Sequence, residues 1–173
     1  MDNVLENAYV VLSTTAARWQ SLTGSLPVEL LARAPAVNEW SMIECLQHLA
    51  DTEKWVFPVR IKALLAGQDF QAFDPETQGT KQSPTPAELA AEFSRLRAVN
   101  LETLKTVTAS DLERTARHSE LGLVTLGELI HEWAGHDLMH TVQAERALLQ
   151  PFIAGCGPWR FYFADHDLSR DQV

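Results

Sequence analysis

Positive charge is scarce in this chain. Its 173 residues carry 14 Lys and Arg against 23 Asp and Glu, a formal charge of −9. Surfaces that grip nucleic acid or anionic membranes need clustered Lys and Arg. No basic block offsets the deficit locally, so neither partner is expected. Cysteine is scarcer still, with only Cys45 and Cys156. That excludes a disulfide framework and suits two reduced thiols in a cytoplasmic protein. Nothing approaches the roughly eighteen apolar residues that a membrane span requires. The first residues, MDNVLENAYVVLSTTAARWQ, lack the basic leader and small-residue cleavage site of a signal peptide, so a cytoplasmic location is expected. Internal repeats and low-complexity tracts are missing too.

What is present suits one globular domain over residues 1–173. Hydrophobic residues make up 46% and charged residues 21%, ordinary values for a chain long enough to bury its own core. Four long segments carry helical periodicity, and none alternates with period two. The first spans about Asp2 to Leu22, with Val4, Leu5, Ala8, Val11, Leu12 and Trp19 on one side, and TGSLP breaks it. The second begins at NEWSMIECLQHLADTEKW, where Ser41 and Glu44 form a capping box. Leu46, Leu49, Val56 and Leu64 suit its core stripe. Pro58 predicts a kink or a break into two helices, and Gly67 a stop.

Residues Gln68 to Ser83 are polar and turn-rich and read as a long crossing loop. The third helix opens with Thr85 as cap, Pro86 in the first turn and Glu88 completing the box. A connector follows, with a short helical turn expected at Ser110 to Leu112. The fourth helix starts from Thr125 and Glu128 and is expected to end at Pro151, leaving a tail of about 151–173 packed on the bundle. Four amphipathic helices and one long connection define an all-α four-helix bundle, a fold that builds sites from inward-facing side chains of different helices.

Chemistry concentrates in LIHEWAGHDLMHTVQAE, which holds three of the six histidines. A helix turns about 100° per residue, so His136 and His140 differ by about 40° and project side by side. Together they could reach one divalent ion, for which imidazole is a common ligand. His131 lies about 140° from His136 and about 180° from His140, so it does not join them and is expected to be structural or exposed. Glu132 does line up with the pair. Leu129, Trp133, Leu138, Met139 and Val142 make the surroundings apolar, which argues against a wholly polar face. His48, bracketed by Leu46 and Leu49 on the second helix, is a third candidate. Three neutral imidazoles with an open position are a recurring catalytic metal arrangement.

The Trp40-Ser41 helix start, His48 seven after that serine, Asp51 and Glu53 nearby, and the late His136-x3-His140 helix form a larger pattern. Thr125, Leu126, Leu129, Asp137 and Gln143 extend it. In these residues the chain resembles the DinB-like (DinB/YfiT-like) metalloenzyme superfamily, from the first helix to about Gln150. The resemblance implies an up-down-down-up bundle and a divalent metal such as Zn, Ni, Mn or Fe on His48, His136 and His140. It also implies activity as a transferase using a low-molecular-weight thiol, with a small-molecule substrate and a homodimeric state. A metal-dependent hydrolase and a non-catalytic metal- or ligand-binding bundle are the alternatives. The transferase needs a basic or polar pocket for the thiol, whereas the hydrolase needs only a general base such as Glu132.

The remaining candidates have plainer readings. Glu132 could be a fourth ligand or a general base, or a solvated or capping carboxylate. Asp51 and Asp137 could orient a ligand imidazole, although Asp137, about 100° from His136, cannot easily orient that ring and suits a surface role at least as well. Glu44, one turn before His48, could approach the metal, although its capping box already explains it. Cys45 could be a thiolate ligand or nucleophile, but the small-core-residue reading is favoured. His118 and His166 are expected on the solvated surface. Trp40, Trp55, Trp133 and Trp159 could line a pocket, but their helical spacing suits core positions.

Overall fold

The structure, a computed structural model, describes residues 3–80 and 84–169. Helix α1 (Val4–Ser25) is capped by the Asn3 side chain, and a single turn, α2 (Val28–Leu31), follows it. Helix α3 (Met42–Trp55) starts from the Ser41–Glu44 capping box. Pro58 acts as expected: the segment breaks at Val56, and α4 (Phe57–Ala66) resumes with the proline in its first turn. A proline there loses no helical bond, because first-turn N–H groups have no helical acceptor. Gly67, at φ 63°, closes α4 in the left-handed conformation that glycine adopts without steric cost.

The crossing loop carries one short turn, α5 (Pro75–Gln78). Lys81, Gln82 and Ser83, which complete the predicted loop, lie outside the described residues, as does Asp2 at the predicted start of the first helix. Helix α6 (Pro86–Lys105) begins from the Thr85–Glu88 box. Helix α7 (Leu126–Gly155) begins from the Thr125–Glu128 box.

Helix directions follow from which residues share a core cluster. At one end, Ala8 and Leu12 of α1 pack with Phe57 and Ile61 of α4, Leu101 and Leu104 of α6, and Leu126 to Trp133 of α7. At the other end, Trp19 meets Met42 to Leu49 of α3, Leu89 and Phe93 of α6, and Ala144 and Leu148 of α7. So α1 and α7 run one way and α3 and α6 the other, which is an up-down-down-up bundle. Two parallel neighbours in sequence need a long return, and the crossing loop supplies it.

Two sequence expectations fail here. The connector holds a 3-10 turn at Ala109–Glu113, close to the predicted one. It then forms an antiparallel hairpin, β1 (Thr115–His118) with β2 (Gly122–Thr125). Four-residue strands are too short to show period-two alternation. Phe70 of the crossing loop extends the hairpin, donating its N–H to Arg117 O (3.0 Å) and accepting from Ser119 N (3.1 Å). The second correction is Pro151, which does not end α7; the helix continues to Gly155. Ile153 is buried beyond it, so packing of the last turn outweighs the missing donor. A further 3-10 segment, Gly157–His166, follows, and His166 O accepts from Gln150 Nε2 of α7 at 2.9 Å.

Candidate metal centre

Helix α3 carries His48 and α7 carries His136 and His140, with one ligand-type nitrogen of each ring within 4.8 Å of the others. The Nε2 atoms of His48 and His136 stand 3.0 Å apart across the two helices. Ring centroids of His140 lie 4.6 Å from His48 and 4.5 Å from His136. Trp40, just before the α3 cap, stacks on His140 at 5.6 Å and tilts against His48 at 5.1 Å. Phe57 of α4 meets His136 edge-on at 5.6 Å. The three rings are thus walled by aromatic side chains.

Electrostatics keep these imidazoles neutral. Burial, reinforced by the neighbouring His140, pushes His48 down to about 4 and His136 down to about 3. His140 is lowered as well, mainly by burial, while Gln143 and Asp137 oppose the shift. Its Nδ1–H donates to Gln143 Oε1 at 2.8 Å, which fixes the tautomer and leaves the Nε2 lone pair free. Neutral rings with converging lone pairs are what divalent-metal ligation requires. Two Nε2 lone pairs at 3.0 Å repel unless a proton or a cation lies between them. The donor set therefore fits a divalent ion on His48, His136 and His140.

A buried ionic cluster backs the site. Arg97 of α6 donates to Asp137 Oδ1 (2.6 Å) and to Glu53 Oε1 (3.0 Å), all three residues being buried. It also donates to Leu12 O and Thr15 Oγ1 of α1. Glu53 accepts further bonds from Asn100 Nδ2 (2.9 Å) and Trp133 Nε1 (2.7 Å). One guanidinium therefore ties α1, α3, α6 and α7 together directly behind the histidines. The surface role expected for Asp137 is wrong: the rotation that carries it away from His136 turns it into the bundle interior.

Other candidates sort themselves by contact. Asp51 does not orient an imidazole; it accepts from Thr80 N (3.0 Å), Thr80 Oγ1 (2.5 Å) and Gln47 Nε2 (3.3 Å), tying the crossing loop to α3. Glu132 is not in the ligand-distance group. Its side chain keeps solvent access, but it lines a cavity of about 140 Å³ with His48, His136, Thr52, Arg60 and Phe73. Crowding by surrounding protein raises its pKa, and Arg60 opposes the rise. Glu44 makes its capping box, with Oε2 accepting from Ser41 N at 2.7 Å. Cys45 is a core residue whose thiol is pushed up to about 12 by burial.

His131 and His166 are exposed, but His118 is buried, against expectation. Its Nδ1 accepts from Glu120 N (3.1 Å) and Leu121 N (3.3 Å), capping the hairpin turn. Of the apolar residues flanking the pair, Leu129 and Trp133 are buried while Leu138, Met139 and Val142 are exposed. Trp55 and Trp159 are exposed rather than core.

Sequence reasoning missed Arg97 and Arg60. The bonding partners of Arg97 lie on other helices, and Arg60 meets Phe70 and Phe73 of the crossing loop and Glu132 of α7, so local spacing carried no signal for either.

This is the architecture of a four-helix bundle with a three-histidine centre between its second and last long helices. The chain belongs to the DinB superfamily, whose family model matches residues 12–144. Among solved structures it resembles YfiT from Bacillus subtilis, with a TM-score of 0.76 and 17% identity over 88% of this chain and 89% of that one. YfiT is described as a probable metal-dependent hydrolase with an unusual four-helix bundle topology. No curated protein matches this chain in sequence.

Proposed function

We propose that this protein is a divalent-metal-dependent hydrolase acting on a small molecule, with His48, His136 and His140 as metal ligands and Glu132 as general base. The observation that carries the reading is the convergence of three neutral imidazole nitrogens within 4.8 Å beside a cavity that also contains Glu132. The description of YfiT supports it. A divalent ion bound there supplies Lewis acidity, polarising a carbonyl and acidifying water. The chain supplies the rest. Phe57, Phe73 and Val56 line the cavity with apolar groups, and Gln143 holds the His140 ring in its tautomer. Glu132, its carboxylate basicity raised by crowding, accepts a proton from water at the cavity mouth.

A second reading, thiol transfer on the same centre, is favoured by a separate polar cleft. This cleft, about 200 Å³, is lined by His48 together with Trp40, Glu44, Gln47, Asp51 and Thr80. It offers a thiol cosubstrate room that a simple hydrolase does not need.

Metal analysis of protein purified without chelator or affinity tag tests the shared premise. One ion per chain is expected in the wild type and none in His136→Ala; absence from the wild type, or full retention by the variant, removes the premise. Hydrolysis of p-nitrophenyl acetate without thiol supports the hydrolase. Turnover of 1-chloro-2,4-dinitrobenzene only with added thiol supports the transferase.

A further inference from the structure

Among the described arginines that are not exposed, Arg97, Arg146 and Arg160 all bond to protein groups. Arg60 of α4 does not. Its guanidinium carbon lies 5.7 Å from the centre of the Phe70 ring, and Glu132 and Glu120 act on it only through space, without a hydrogen bond. A half-buried guanidinium with a ring and distant charges beside it, but no hydrogen-bond acceptor, has lost hydration without a directional bond in return. Its five donors in a planar fork match the geometry of an oxyanion.

The surroundings say where such an anion would sit. Arg60 lines the same cavity of about 140 Å³ as His48 and His136, whose apolar lining is Val56, Phe57 and Phe73, and it also borders an adjoining pocket with Phe70, His118 and Glu132. One lining therefore carries imidazole, apolar and guanidinium groups together. Glu132 shares the wall and would repel a second negative charge, which restricts the ligand to one anionic group.

We propose that Arg60 anchors the carboxylate of a small monoanionic organic-acid substrate, whose apolar body lies against Val56, Phe57 and Phe73 and whose reacting group faces His48 and His136. Only the last clause rests on the metal-enzyme reading. The anchor itself is a property of the chain and is open to test in metal-free protein.

The test is a ligand-observed NMR titration of metal-free wild type, Arg60→Gln and Arg60→Lys. Butanoate, its neutral isostere butanamide, and inorganic phosphate are the probes. Butanoate binding is expected to weaken about tenfold or more in Arg60→Gln, the loss of one charge-assisted contact, and to recover in part in Arg60→Lys. Butanamide should bind wild type as weakly as butanoate binds Arg60→Gln. Equal affinity of butanoate for wild type and Arg60→Gln overturns the proposal, as does no butanoate binding at all. Preference for phosphate overturns the carboxylate assignment. Should Arg60→Gln fail to fold, the contrast between butanoate and butanamide on wild type decides. Metal content, measured in parallel, reports separately on the histidine centre, so failure of one reading is distinguishable from failure of the other.

Discussion

Asp137 and Arg97 meet in a buried 2.6 Å ion pair one residue away from His136. The same guanidinium holds Glu53, so α3 and α7, which carry the three histidines, are fastened to each other through α6. The spacing between the rings is set in part by a charge cluster that touches no ligand ring.

Removing the cation should therefore be severe. Arg97→Leu leaves the two carboxylates of Glu53 and Asp137 buried without their counter-ion, and breaking a buried pair in this way costs about 3–5 kcal/mol. Urea denaturation of the metal-free protein measures it. Asp137→Asn keeps the shape and an acceptor and should cost clearly less; equal losses would mean that the Asp137 charge, not the shape of the side chain, holds the cluster.

Acid should destabilise the metal-free protein through the histidines. Unfolded, each ring takes up its proton near pH 6.5; folded, His48 does so only near 4 and His136 near 3. Between those values the unfolded chain binds more protons, so stability is fully present above about pH 6.5 and is lost as pH falls. The slope is at most about 1.4 kcal/mol per pH unit for each such ring. Denaturation midpoints at pH 7, 6 and 5 should show it, and His136→Ala should flatten the dependence.

Asp51 separates two roles cleanly. Bonded to Thr80 rather than to His48, it should act on the loop: Asp51→Ala should speed amide exchange over residues 68–80 and leave metal affinity unchanged. Had it oriented the imidazole, metal affinity would fall by about 10–100-fold. Isotope-exchange mass spectrometry and a competitive chelator titration read the two quantities.

Glu132→Gln should retain the metal and lose about 10²-fold or more of p-nitrophenyl acetate turnover, as expected for a removed general base. Full activity in a variant with normal metal content would take the proton acceptor away from Glu132.

Sequence legibility followed sequence distance. Three capping boxes, the break before Pro58 and the left-handed Gly67 were readable because their partners lie within four residues. The 136/140 pairing was readable from one helix, and His48 joined it as a candidate on another. Arg97 was not, since its acceptors lie 40 to 85 residues away. The hairpin escaped because each strand has only four residues and draws support from Phe70 on another loop. His118 looked like a polar connector residue, but the hairpin turn uses its Nδ1 as an acceptor, and that buries the ring. Pro151 carries a local helix-breaking signal, whereas the burial of Ile153 that offsets it is a tertiary contact with no local signature.

His48 and His136 are separated by 88 residues of chain. An ion gripped by both is a reversible cross-link around that loop, in a protein whose two cysteines form no bridge of their own. By the chain-entropy estimate a closure of that size is worth about 4–5 kcal/mol. Metal occupancy would then report on the whole molecule: a nascent or truncated chain that stops before α7 holds one of the three histidines and cannot be loaded.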